Sequence, residues 1–110
     1  MQTIVIVLNP GKLKNPDMDL CYCVPERLEE ALKGAVQDNG YDFIDTEPGR
    51  PGPLMGVWLR TACAAREWPR IVQVFQEELF LDNNLSDSAE IFISEEDTAG
   101  LEDCTRIFPA

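Results

Sequence analysis

The sequence predicts a single α+β domain, with a mainly antiparallel sheet and two helices on one face of it. Its 110 residues match the usual size of one domain, so residues 1–110 are taken as one globular unit. The apolar content of 45% and the charged content of 26% are ordinary for a globular protein. Stretches with strand character also alternate with two amphipathic stretches, which is typical of a sheet covered by helices.

The first half of the chain predicts a strand, a helix and a turn. Residues 3–8 are rich in β-branched side chains, which favours a strand buried on both faces. Residues 20–24 are interpreted as a short extended piece, and Pro25 as the first position of a helix that ends before Gly34. Asn39-Gly40 is a turn signal, which predicts a hairpin between residues 35–38 and 41–44.

The second half begins with the proline- and glycine-rich residues 47–53, which predict a loop, and continues with a strand at residues 54–61. A second helix is strongest over residues 68–80, with Pro69 in its first turn. Strands are predicted at residues 90–94 and, as an extra C-terminal strand, at 103–108. The order βαββαβ predicts the ferredoxin-like arrangement. The apolar stripe of the second helix recurs at three- and four-residue steps through Trp68, Ile71, Val72, Phe75 and Leu79.

The net charge of −11 is distributed unevenly along the chain. Residues 1–70 contain ten acidic and eight basic side chains, whereas residues 71–105 contain ten acidic side chains and no basic one. Phosphates would be repelled by such a surface, so nucleic-acid binding is disfavoured. A basic protein would be attracted to it, with an association rate that depends on salt.

The chain start has no basic residues and only a short apolar run, so we expect no signal peptide, and no stretch is long enough for a membrane span. A cytoplasmic protein is therefore expected. In that compartment Cys21, Cys23, Cys63 and Cys104 would stay reduced. Arg60 and Arg66 near Cys63 would lower the pKa of a reactive thiol there, but a buried structural thiol is the commoner case.

Histidine is absent, which removes the commonest general base and the usual partner of a serine or cysteine nucleophile. The Cys21-x-Cys23 pair is tighter than the spacing of zinc sites, so no metal or other cofactor is predicted. Residues 9–13 lack the spacing of a phosphate-binding loop. Residues 82–93 lack the glycine that a calcium loop has at its sixth position, and Ile93 stands where the bidentate glutamate belongs. Paired carboxylates alone do not indicate a glycosidase, and the chain is predicted not to be an enzyme.

The acidic residues 71–105 are the remaining feature from which a function can be inferred. Its plainest explanation is solubility, since a high net charge keeps small proteins apart. The functional interpretation is an electrostatic docking face for a basic protein, and charge pairs across such an interface can speed association by orders of magnitude. The predicted partner-binding residues are Asp82, Asp87, Glu95, Glu96, Asp97, Glu102 and Asp103.

This profile resembles the immunity proteins that bacteria keep against polymorphic toxins: small, acidic, cytoplasmic, α/β in composition and without catalytic residues. Residues 15–20 (NPDMDL) and 91–99 (IFISEEDTA) have the character of signatures of a bacterial family. The resemblance implies an inhibitor that covers the basic active site of a nuclease or a similar toxin. Small acidic phage proteins that block host defence enzymes have the same profile. The alternative function is a small-ligand-binding or regulatory module of the ferredoxin-like kind, and the sequence leaves the oligomeric state open.

Overall fold

The computed structural model describes residues 1–44 and 53–109. In this part of the chain the strands are β1 (Gln2–Leu8), β2 (Val36–Ile44), β3 (Leu54–Thr61), β4 (Ala89–Ser94) and β5 (Thr105–Phe108). The helices are α1 (Leu20–Ala31), α2 (Ala64–Glu77) and α3 (Leu85–Ser88), with short 3₁₀ turns at Pro10–Lys12 and Leu101–Asp103. The predicted α+β class is confirmed.

The strands form one antiparallel sheet in the order β2-β3-β1-β4-β5. The first strand therefore lies in the middle, where Val5 is opposite Trp58 of β3 on one side and Phe92 of β4 on the other. Side chains from Ile4 to Leu8 are at most 2% exposed. This explains why the β-branched run of residues 3–8 shows no polar alternation, because both faces of β1 are covered.

The main core lies between one face of the sheet and the helices. Ile4, Ile6 and Leu8 of β1 share one cluster with buried residues of both α1 and α2, so the two helices pack on the same face. The predicted stripe of α2 is confirmed at Ile71 and Phe75, which are at most 1% exposed. It is wrong at Leu79, which is 65% exposed because α2 has already ended at Glu77.

The prediction for residues 20–24 was wrong, since they form the first turns of α1 rather than an extended piece. Leu20, Val24 and Leu28 recur every four residues and are fully buried, which is the pattern of a helix face. Pro25 is then the sixth helical residue, where it removes one backbone hydrogen bond. The end of α1 is marked by Gly34, whose N–H donates to the carbonyl of Glu29 at 2.8 Å with a φ of +82°.

The predicted hairpin at Asn39-Gly40 was also wrong. Residues 36–44 form one strand, and its register against β3 shifts between Asp38 and Tyr41. Gly40 has a φ of +92°, so the left-handed conformation that would suit a tight turn instead accommodates a bulge in an edge strand. The loop predicted at residues 47–53 lies almost entirely outside the described residues.

The remaining elements follow the prediction with shifted ends. The strand at residues 54–61 is confirmed, and the predicted strand at 90–94 is β4. The helix predicted over 68–80 begins at Ala64, so Pro69 lies in its second turn. The short helix α3 was not predicted, and the extra C-terminal strand is β5, which begins at Thr105.

Candidate functional site

Residues 95–104, here called the strap, leave the end of β4, cross the sheet face opposite the helices and return to β5 at the edge. Two hydrogen bonds tie the strap to β1: the fully buried Thr3 hydroxyl donates to the carbonyl of Glu96 at 2.7 Å and accepts from the N–H of Ala99 at 3.1 Å. The indole Nε1 of Trp58 donates to the carbonyl of Ala99 at 2.9 Å. The strap backbone is therefore fixed to the central strand β1 and to its neighbour β3.

Side chains of the strap complete this attachment. Ala99 is 5% exposed, and Leu101 and Cys104 pack against the small cluster that Val5 and Val7 form on this face. Thr98 has a φ of +53°, and its hydroxyl accepts a hydrogen bond from the amide of Asn39 in β2 at 3.3 Å. The strap thus makes contacts from the centre of the sheet to its far edge.

Five of the seven predicted partner-binding residues lie on the strap: Glu95, Glu96, Asp97, Glu102 and Asp103, all with exposed side chains. Asp97 forms an ion pair with Arg60 at 3.2 Å. Within residues 1–44 and 53–109, the other four carboxylates have no basic side chain within ion-pair distance. The strap therefore holds a group of uncompensated negative charges on a fixed backbone.

The other two predicted residues, Asp82 and Asp87, lie elsewhere. They follow α2 and lie in α3, before the start of β4, whereas the strap begins after its end. The six residues of β4 separate the two groups by about 20 Å of strand. Asp82 and Asp87 line a small recess together with Lys12 and Lys14, although neither carboxylate forms an ion pair within the described residues. The structure therefore does not bring the seven residues onto one face.

A cleft of ≈ 620 Å³ opens beside the strap, between the N-terminus of α2 and the ends of β4 and β5. Glu95, Glu96 and Asp103 contribute its acidic rim. The first amide of α2 is not free to bind a ligand, because the N–H of Ala64 donates to Oε1 of Gln2 at 2.7 Å. The remaining lining residues are mostly apolar or small: Cys63, Ala64, Ala65, Ile93, Ser94, Thr105 and Ile107.

The pKa values of Cys104 and Asp97 are shifted by the charges around the strap. Burial raises the pKa of the Cys104 thiol, and the nearby carboxylates of Asp103, Glu102 and Glu96 raise it further. Desolvation pushes the pKa of Asp97 upwards, but the hydrogen bond from Thr98 and the Arg60 guanidinium outweigh it and lower the pKa overall. A thiolate is thus disfavoured at Cys104, while Asp97 is held in its charged form.

The four cysteines are unpaired, and they do not form a thiolate site. Burial raises the pKa of both Cys21 and Cys23, and both lie on α1, where residues two apart point in different directions. Cys63 precedes α2 and lines the cleft. Among residues 1–44 and 53–109, no three histidine, cysteine or acidic side chains are grouped so that they could hold a metal ion.

The sequence interpretation missed the residues that hold the strap in place. Trp58 and Arg60 alternate along β3 with the buried Val57 and Leu59, so a period of two could have placed them on the face opposite the helices. No local signal indicates that Thr3 binds residues 96 and 99, because those contacts span more than 90 positions.

Comparison of the chain with protein-family models, with curated protein sequences and with solved structures finds no match. In the described part of the chain, none of the helices has the length and apolar character needed to cross a membrane.

Proposed function

We propose that this protein is a non-enzymatic protein-binding domain, an acidic inhibitor of the immunity type that covers a basic surface of another protein. The observation that supports the proposal is the strap, in which four exposed carboxylates without ion-pair partners in the described structure lie on a backbone fixed to β1 and β3. A binding surface that is already ordered loses little conformational entropy when a partner binds.

The cleft beside the strap suggests what part of the partner binds there. Lysine and arginine have an apolar stem and a cationic tip. Ile93 and Ile107 provide apolar surface for such a stem, while Glu95, Glu96 and Asp103 at the rim provide charge for the tip. We infer that one or two basic side chains of the partner enter this cleft. In that position, the rest of this protein covers the partner's active surface and blocks it.

The resemblance to toxin immunity proteins gives the proposed partner its class, a basic toxin such as a nuclease. We also propose a cytoplasmic location, which the four unpaired thiols support.

The proposed arrangement of the sheet is ferredoxin-like. Its support is the placement of β1 between β3 and β4, with β2 outside β3, and β5 is then an addition beside β4.

The proposal is tested by reversing charge at the strap and, as a control, away from it. The partner is isolated from the source cells at low salt, and its affinity is measured for Glu95→Lys/Glu96→Lys/Asp103→Lys and for the control Glu77→Lys/Asp82→Lys/Asp87→Lys. Both variants change the net charge equally. We expect the strap variant to lose at least about 100-fold in affinity and the control less than about 5-fold. Equal losses would mean that only net charge matters and would overturn the proposal.

A second candidate function is a small-ligand or regulatory module, and one observation favours it. A recess of ≈ 280 Å³ lies where the strap meets β2, lined by Trp58, Ala99 and Gly100 among others. A ligand bound there would raise the melting temperature by mass action. A screen of nucleotides, amino acids and metabolite anions tests this candidate, and a shift that disappears in Trp58→Ala would favour it over the inhibitor.

A further inference from the structure

A group of exposed aromatic side chains lies on the helix side of the sheet, where β2 runs beside α1. Tyr22 of α1 and Tyr41 of β2 pack edge to face with ring centroids 5.4 Å apart, and their hydroxyls are hydrogen-bonded at 3.0 Å. Tyr41 and Phe43 form a second edge-to-face pair at 6.2 Å. The three rings, here called the aromatic patch, are between 40% and 56% exposed.

The aromatic patch lies on the helix side of an edge strand. Tyr41 is opposite Val57 and Phe43 is opposite Met55, both of which belong to the main core, so these two rings project on the same side as α1. Among the described residues β2 pairs with β3 alone, so the rings stand at the border of the sheet. A partner can therefore approach them without displacing any helix or strand of residues 1–44 and 53–109.

The surroundings of the patch are negatively charged. Asp19 and Glu26 lie three residues before and four residues after Tyr22, which places them next to it on the helix surface, and both are exposed. The Asp19 carboxylate contributes to the raised pKa of Tyr22, after the larger effect of the Tyr41 hydroxyl. The nearest base along α1, Arg27, is engaged by Glu78 through two hydrogen bonds of 2.8 Å.

Together these features indicate the chemistry of a partner. Aromatic ring faces attract cations, and arginine also stacks on them through its planar guanidinium. Tyrosine and arginine are also the residues that carry most binding energy in protein interfaces. A second copy of this chain is a poor fit, since each copy has a net charge of −11 and would bring further carboxylates to the same patch.

We propose that the aromatic patch formed by Tyr22, Tyr41 and Phe43 is a docking surface for an arginine-bearing segment of a partner protein, with the guanidinium seated on the rings and Asp19 and Glu26 close to its charge. The three rings lie on the helix side of the sheet, whereas the strap crosses the other side, and Tyr41 also borders the recess where the strap meets β2. None of the strap carboxylates belongs to the patch, so the inference does not depend on the function proposed for the strap.

The test uses a nine-residue peptide with two arginines spaced by glycine and serine, and the same peptide with lysine or citrulline in their place. Aromatic carbon-proton NMR spectra of the whole protein are recorded at about 0.3 M salt, where exposed charges are largely screened. We expect ring signals of Tyr22, Tyr41 and Phe43 to shift with the arginine peptide, more weakly with lysine and not with citrulline.

Variants assign the effect to the patch. Tyr22→Ser/Tyr41→Ser should weaken the arginine peptide by about five- to tenfold, whereas Leu79→Ser, which removes an exposed apolar side chain elsewhere, should leave the affinity unchanged. The strap variant Glu95→Gln/Glu96→Gln/Asp103→Asn should also retain ring shifts, which separates this inference from the function proposed above. Ring signals of Tyr22, Tyr41 and Phe43 that do not shift with the arginine peptide would overturn the inference. A dimer that Tyr22→Ser dissociates in sedimentation experiments would also overturn it, in favour of a second copy as the occupant.

Discussion

The carboxylate of Glu67 is completely buried in the face of α2 that packs on the sheet, and both of its oxygens accept from the guanidinium of Arg70 one turn later, at 2.5 and 3.0 Å. Arg66 lies further away, at 3.8 Å. The two partners are unequal, because Arg70 remains 45% exposed while Glu67 has no contact with solvent. A buried charge depends on its partner more than an exposed charge does.

This asymmetry predicts opposite results for two substitutions. Arg70→Met leaves a buried carboxylate without its main partner and should lower the free energy of unfolding by roughly 3 kcal/mol. Glu67→Met replaces the carboxylate by an apolar side chain of similar length, and the exposed Arg70 is then hydrated, so the loss should stay within about 1 kcal/mol. Urea denaturation measures both, with Arg66→Met as a control of small effect. A larger loss for Glu67→Met than for Arg70→Met would contradict the prediction.

A second ion pair joins the two long helices. Nε and Nη2 of Arg27 in α1 each donate to one carboxylate oxygen of Glu78, the residue that directly follows α2, at 2.8 Å. The hydrogen bonds from Arg27 lower the pKa of Glu78, with partial desolvation acting in the opposite direction. The folded state therefore binds a proton at Glu78 less readily than the unfolded chain does.

It follows that the pair stabilises the fold above the ordinary pKa of 4.5 and that this contribution is lost as the pH falls through the lowered pKa. Glu78→Gln should lower the urea midpoint at pH 7, and its difference from the parent should shrink steadily below pH 4.5. Glu77→Gln, one residue earlier, serves as the control and should leave the midpoint nearly unchanged. If the Glu78→Gln difference stayed constant down to pH 2.5, the assignment to this pair would be wrong.

Thr3 provides a direct test of how the strap is held. Thr3→Val keeps the shape of the side chain but removes a hydroxyl that donates to Glu96 and accepts from Ala99. The buried amide of Ala99 then lacks an acceptor, which should cost about 1–3 kcal/mol. Hydrogen exchange should show the Ala99 amide losing protection more than the amides of β1 do. Thr3→Ser keeps the hydroxyl and should preserve this protection, and equal exchange in both variants would exclude the role given to the hydroxyl.

Gly56 has no side chain, which leaves room for the Trp58 ring beside β3. A Cβ at position 56 would come within 2.6 Å of the Trp58 ring and 2.9 Å of Cδ1 of Ile44, closer than side chains approach one another. Gly56→Ala should therefore displace the indole, break its hydrogen bond to Ala99 and lower stability by about 1–3 kcal/mol. Tryptophan fluorescence, recorded in a Trp68→Phe background, should shift to longer wavelength. An unchanged spectrum would show that the ring adjusts without leaving the strap.

The sequence predicted the regular elements of the fold better than their ends. Residues 54–61 and 90–94 have strong strand patterns because their side chains face a packed core, and the pattern survives in the structure. Residues 20–24 were misinterpreted because Pro25 suggested a helix start, although a proline in the second turn costs only one hydrogen bond. Asn39-Gly40 was misinterpreted because a bulge and a tight turn require the same left-handed backbone.

The candidate site was predictable only in part. The run of acidic residues could be read directly, and the structure brings residues 95–103 of it together on the strap. Local patterns could not show that β4 separates Asp82 and Asp87 from the strap. They also could not show that these two residues share a recess with Lys12 and Lys14. The aromatic patch was missed for the same reason, since Tyr22 and Tyr41 meet only once α1 has packed beside β2.

The central position of β1 also has a consequence for folding during synthesis of the chain. Gln2 of β1 pairs with Thr61 of β3 and Thr3 pairs with Ser94 of β4, so β1 leaves the ribosome well before both of its neighbours. Until β4 emerges, one long edge of β1 is unpaired and strongly apolar, which is a hazard for aggregation in a growing chain. Nascent chains that end before Ala89 should therefore bind chaperones that protect exposed strands, whereas chains that extend beyond Phe108 should be released.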